Sequence, residues 1–266
     1  MKTQLSRESK SPVFDAIQQG PTTIQPLAVR KAAVRTAMIG VIFSVLYLVT
    51  FFIIKSRLPP LGATDQELIA FYGDPTNRRI LIATGLYLVP FTGIAFIWFI
   101  VALRMWVTAS SPRENVIFSN IQLVSGIIFT TLFFIGGASM SVIAATIELS
   151  DESIDPVVAR QFPQYGSIIL LVFAMRMASM FVLATSNIGR TTGILPRWFA
   201  YLSLAVALGL LLSLSLSTWL VIVFPTWILA CCAILLDRTR KIPRDLIVLG
   251  SGQATESLSS HPAVDR

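Results

Sequence analysis

Charge is scarce in this 266-residue chain. Lysine, arginine, aspartate and glutamate make up 13% of it, and the mean hydropathy is +0.73; soluble domains carry about 25% charged residues. That balance excludes an ordinary soluble domain. Histidine is scarcer still. The single one, His261, lies in a serine-rich C-terminal stretch, so bis-histidine haem, a histidine-ligated metal and a serine–histidine dyad within the membrane are unsupported. No aspartate occurs inside the long apolar runs, which leaves an intramembrane aspartyl protease without its acid pair. The two cysteines, Cys231 and Cys232, are adjacent in an apolar run, where a bridge would be strained and no oxidant is expected. Gly137-Ala138-Ser139-Met140 fits the Gly-x-Ser-x pattern around the serine of rhomboid proteases, but it has no histidine to act with, and Lys55 sits too shallow at a run's end to replace one. The expectation is a protein that is not an enzyme and holds no cofactor or metal.

What the chain does have is uncharged length. Such runs extend from Thr36 to Ile54, Ile80 to Leu103, Val116 to Ile147, Gln161 to Gly189 with only Arg176 interrupting, and Trp198 to Leu236. At about 1.5 Å per helical residue, each of the first four can cross a hydrocarbon core of about 30 Å. The first follows a basic stretch as a secretory signal would. Its 19 residues nevertheless exceed a signal's apolar region of about 7–15, and Lys55 follows in place of a cleavage site. The last run has 39 residues and as one helix would reach about 58 Å, so it must fold back. Its most polar stretch is Ser213, Ser215, Ser217 and Thr218. A turn near Ser217 gives spans of Trp198 to Leu216 and Trp219 to Leu236. The fold class is an all-α polytopic transmembrane bundle with six spans.

Positive charge orients it. With six spans, Lys2, Arg7, Lys10, Arg30, Lys31, Arg35, Arg104, Arg113, Arg190, Arg197, Arg238, Arg240, Lys241, Arg244 and Arg266 share one side, against Lys55, Arg57, Arg78, Arg79 and Arg160 on the other. Basic loops stay cytoplasmic, so both termini are expected in the cytoplasm of a cell whose cytoplasmic membrane holds the protein. Five spans would put the basic C-terminal segment outside, against that rule. The net charge of +7 thus reports orientation, and no nucleic-acid partner is implied. Residues 1–33 read as a polar, largely disordered cytoplasmic tail broken by Pro12, Pro21 and Pro26; 34–237 as the six-span domain; 238–266 as a basic, then serine-rich tail.

The first outer loop carries Thr64-Asp65-Gln66-Glu67 before Leu68, Ile69, Phe71 and Tyr72, a capping box that opens a short amphipathic helix near 65–72 and closes at Gly73 and Asp74-Pro75. That helix is expected on the outer membrane surface. Glu148, Asp151, Glu152 and Asp155 form an acidic outer segment, read first as a solvated loop.

Phe71-Tyr72-Gly73-Asp74-Pro75-Thr76-Asn77-Arg78-Arg79 and Leu195-Pro196-Arg197-Trp198 resemble stretches of uncharacterised actinobacterial multi-pass membrane proteins. The resemblance extends from about Leu61 to Asp237. It implies location and topology and carries over no catalytic or binding residue.

Arg176 is the one ionisable residue near the middle of a span, where a charge costs about 2.5–3.5 kcal/mol on insertion scales, so it should face protein or water. The sharper reading is an anion-binding charge flanked by Met175, Met177 and Met180. The plainer one is a structural arginine bonded to neighbouring spans or reaching an outer acid, with Glu148 nearest in sequence. Ala205, Gly209, Ser213 and Ser217 recur every four residues, and Gly40 with Ser44 and Gly137 with Ser141 repeat the spacing. Such faces let helix backbones approach closely. Intramolecular packing is expected first, and a homo-oligomer or partner interface is the alternative for the fifth span. Pro90 and Pro225 should each permit a kink. Trp98, Trp106, Trp198, Trp219 and Trp227 read as interface anchors or packing. Arg238, Arg240, Lys241 and Arg244 would attract anionic lipid headgroups at about 1 kcal/mol each, although the need to fix topology is sufficient to explain them. The function expected is a non-enzymatic accessory or interaction component of the membrane, with a small anion transporter or channel using Arg176 as the first alternative and a membrane enzyme as the last.

Overall fold

The computed structural model describes residues 26–60, 62–110, 116–150, 155–212 and 219–240. Among them every regular element is helical, as a lipid environment requires of a backbone that must satisfy its own polar groups. In chain order these are α1 (Pro26–Arg57), α2 (Asp65–Gly73), α3 (Pro75–Ile82), a π-helical turn (Ala83–Leu88), α4 (Val89–Ser110), α5 (Val116–Ser150), α6 (Pro156–Ile168), a second π-helical turn (Ile169–Ala174), α7 (Met175–Thr191), α8 (Arg197–Leu212) and α9 (Leu220–Arg240). Pro26 opens α1 and does not break it; a proline at the first helical position loses no intrahelical bond.

Five stretches are long and apolar enough to cross a membrane: Arg30–Arg57, Pro75–Thr108, Val116–Ser150, Pro156–Thr191 and Leu220–Asp237. The long C-terminal run is divided, as its length demands, into α8 and α9. Pro225 lies within α9. The proposed turn residues, Ser213 and Ser217 among them, lie outside the described residues. α8 has 16 residues, or about 24 Å.

Neighbouring residues identify the two ends of the bundle. Trp106 and Val107 near the end of α4, Ile194 and Leu195 between α7 and α8, and Leu235 late in α9 all line one small cavity. At the other end, Phe51 of α1 lies 6.2 Å from the Trp219 ring at the start of α9. Leu58 there joins Ala63, Leu68, Tyr72, Leu81, Ala144 and Ala159 in a second apolar cluster. α8 therefore begins at one end of the bundle and α9 begins at the other.

The centre is filled by aromatic rings. Phe96 of α4 packs against Phe43 of α1 at 4.6 Å, Phe129 of α5 and Phe181 of α7 at 5.2 Å each, and Phe224 of α9 at 5.5 Å. One ring thus touches four other helices. Several of the close helix approaches are made at glycines. A Cβ on Gly40 would fall 2.5 Å from Cys232 Sγ, one on Gly85 2.1 Å from Ser141 Oγ, and one on Gly166 2.7 Å from the Gly136 carbonyl. Both π-helical stretches meet α5 around Gly136 and Gly137, because Leu170 packs on the first glycine and Val89, directly after the first π turn, on the second. The first π turn ends just before Pro90, whose missing N–H and ring disturb the preceding helical turn.

Candidate functional site: Arg176 and the outward face of α8

Arg176 stands at the start of α7, directly after the second π turn, and is half-buried. Its Nη1 donates to the Val172 carbonyl of its own helix. Met175 is fully buried beside it, and Met177 and Met180 are half-buried. The expected outer acid is engaged elsewhere: Glu148 accepts from Arg78 Nε at 3.1 Å, so no Arg176–Glu148 pair forms. Among the described residues its one hydrogen bond goes to its own backbone and none to a neighbouring span. This is a local solution to a charge in the membrane, since the guanidinium reaches a carbonyl one turn back.

A cavity of about 20 Å³ lies at the α7–α8 end, and Arg176 does not line it. A space of that size holds about one water molecule. Around it, Gln122 of α5 donates through Nε2 to Thr185 Oγ1 of α7 at 2.7 Å, and that hydroxyl donates to the Phe181 carbonyl, also at 2.7 Å. The hydroxyl has one proton, already given to Phe181, so Gln122 must present its N–H₂ and leaves Oε1 without a partner.

Three more buried polar contacts join the last helices. Ser179 donates to the Ala207 carbonyl at 2.7 Å, Ser186 to the Ala200 carbonyl at 2.7 Å, and Trp227 Nε1 to Ser203 Oγ at 2.8 Å. These fix one face of α8. Phe199, Ala200, Ser203, Ala207 and Leu210 are buried. The opposite face, with Ala205 and Gly209, is exposed, and a Cβ on Gly209 would meet nothing within 4 Å. The expectation that this stripe packs within the molecule is corrected for these two residues. Ser213 and Ser217, which continue it, lie outside the described residues. The Gly40–Ser44 and Gly137–Ser141 pairs, by contrast, are buried.

The loops expected outside are tied to the bundle. α2 has the foreseen capping box, with Thr64 N donating to Glu67 Oε2 at 2.7 Å and Glu67 N to Thr64 Oγ1 at 3.3 Å. The bond from Thr64 N and a second from Thr64 Oγ1, at 3.0 Å, hold the Glu67 carboxyl below its ordinary range, the backbone bond contributing most. The helix is docked on the bundle end. Arg160 of α6 donates to the Ala63 carbonyl at 2.9 Å and to Asp65 Oδ1 at 2.8 Å, while Leu68 and Tyr72 are buried. Burial pushes the Tyr72 hydroxyl up to about 12. Within the acidic segment, Glu148 is ion-paired and Asp155 caps α6 by accepting from Val157 N at 2.8 Å. Asp151 and Glu152 lie outside the described residues.

Ser139 donates to the Ile135 carbonyl at 2.8 Å. Among the described residues no three His, Cys, Asp or Glu side chains converge. His261, Lys241 and Arg244 lie outside them, and the side chains of Arg238 and Arg240 are not described although α9 runs through both. Compared with known proteins, the chain matches no family model, no curated protein and no solved structure.

Proposed function

We propose that the protein is a non-enzymatic component of the cytoplasmic membrane that works by binding another transmembrane helix along the outward face of α8. The observation that carries this reading is the contrast between small-residue pairs. Gly40 and Gly137 are filled by neighbours in the same chain, whereas among the described residues Gly209 has none and Ala205, one turn away, is exposed. Small residues spaced by four allow the close backbone approach by which membrane helices associate. The partner is a second copy or another membrane protein.

In this reading the chain crosses six times with both termini cytoplasmic. Supporting it are the opposite ends at which α8 and α9 begin, and the greater number of lysines and arginines that six spans put on the side of the termini.

The test is association in liposomes by energy transfer between labelled copies and by co-purification from native membranes, comparing wild type with Gly209→Leu. Loss of both signals with an unchanged melting temperature supports the reading. Unchanged association in the folded variant overturns it.

A second reading, an anion permease using Arg176, is favoured by the π-helical turn immediately before that residue, since such turns are frequent at functional sites. Small-anion uptake by proteoliposomes that is lost in Arg176→Gln would support it. No uptake by folded wild type across an anion panel excludes it.

A further inference from the structure

On the bundle surface, Val101, Arg104, Met105 and Thr108 of α4 and Leu123 of α5 line an open groove with a volume of about 600 Å³. Arg104 is the first charge after the apolar run from Ile80, so it stands where α4 leaves the hydrocarbon core. It is half-buried. Among the described residues it has neither the acid partner of Arg78 and Arg160 nor the backbone carbonyl that serves Arg176. A half-buried guanidinium between apolar walls needs a counter-anion, because water solvates it only in part.

We propose that this groove binds one anionic phospholipid, its headgroup phosphate on Arg104 and an acyl chain along Val101, Met105 and Leu123. Charge complementarity selects the headgroup, since a guanidinium presents a planar fork of donors to phosphate oxygens. The walls select a lipid over a free anion. Val101 and Met105 are 48% and 69% exposed, and only a ligand with a chain gains from covering them. The site is separate from α8 and does not depend on the partner reading.

The full chain, reconstituted in nanodiscs of equal parts phosphatidylglycerol and phosphatidylcholine, is released into native mass spectrometry and the retained lipids are identified. Wild type is expected to retain phosphatidylglycerol in preference to phosphatidylcholine. Arg104→Gln should reduce that preference on the order of tenfold, the worth of one charge-assisted hydrogen bond to the phosphate. Arg104→Lys should keep part of it, and Arg197→Gln, at an exposed position, should keep all of it. No preference in wild type overturns the proposal whatever the variants do. An undiminished preference in Arg104→Gln, or an equal loss in Arg197→Gln, also overturns it.

Discussion

Arg78 Nε lies 3.1 Å from Glu148 Oε2, and its Nη1 donates to the carbonyls of Tyr72 and Gly73 at 2.9 and 3.0 Å. One side chain therefore ties the end of α2 to the end of α5, across 70 positions of sequence. The carbonyl bonds matter more than the ion pair. Glu148 is 41% exposed, and a pair open to water contributes at most about 1 kcal/mol. Arg78→Ala should lower stability by about 1–2 kcal/mol, and Glu148→Gln by less than half of that. Thermal unfolding in detergent compares the two, with equal losses arguing against the carbonyl bonds.

Gly85 of the first π turn lies directly against Ser141 of α5. Gly85→Ala should destabilise by about 1–3 kcal/mol through overpacking, because the new Cβ falls 2.1 Å from Ser141 Oγ and 2.4 Å from its Cβ. Adding Ser141→Gly removes both atoms and should restore part of the loss. A double-mutant cycle reads this as coupling between the sites, and strictly additive losses would contradict it.

The Gln122–Thr185 pair should respond asymmetrically. Thr185→Val leaves the buried Gln122 amide with no partner at either end and should cost about 1–3 kcal/mol. Gln122→Met removes the unpaired Oε1 together with its amide, while Thr185 keeps its bond to Phe181. That change should be close to neutral. Comparable losses in both variants would mean that Gln122 Oε1 is satisfied in the membrane.

The α2 cap should loosen at both extremes of pH. Glu67 titrates below its ordinary value of 4.5 in the folded state, so its contribution is complete above that value and fades as pH falls through the folded one. Tyr72 is raised from 10.0 to about 12, so its contribution is complete below 10 and is lost as pH climbs toward 12. Hydrogen exchange over Asp65–Gly73 checks both arms. Glu67→Gln should flatten the acid arm, and Tyr72→Phe the alkaline one.

Much of this architecture was legible in the sequence because its signals are local. Uncharged length marked the spans, the 39-residue run required a break between α8 and α9, and Thr64 with Glu67 announced the cap of α2. What stayed illegible depends on which helices become neighbours. The spacing of Ala205 and Gly209 defines a face of α8 but does not say whether that face is inside. Ser186, Ser203 and Trp227 decide it by fixing the opposite face. Likewise the partner of Glu148 is Arg78, which no count of residues along a single helix could select. Arg176 was legible as a buried charge needing a partner, and its solution lay in the carbonyl one turn back.

The most direct test of the central claim is cysteine cross-linking in native membranes at two exposed positions, Gly209→Cys on α8 and Met105→Cys on α4. The account predicts a discrete cross-linked species of one copy with another, or with one defined membrane protein, from position 209 and none from position 105. Equal cross-linking at both positions, or none at 209 in folded protein, would contradict it and leave the outward face of α8 to lipid alone.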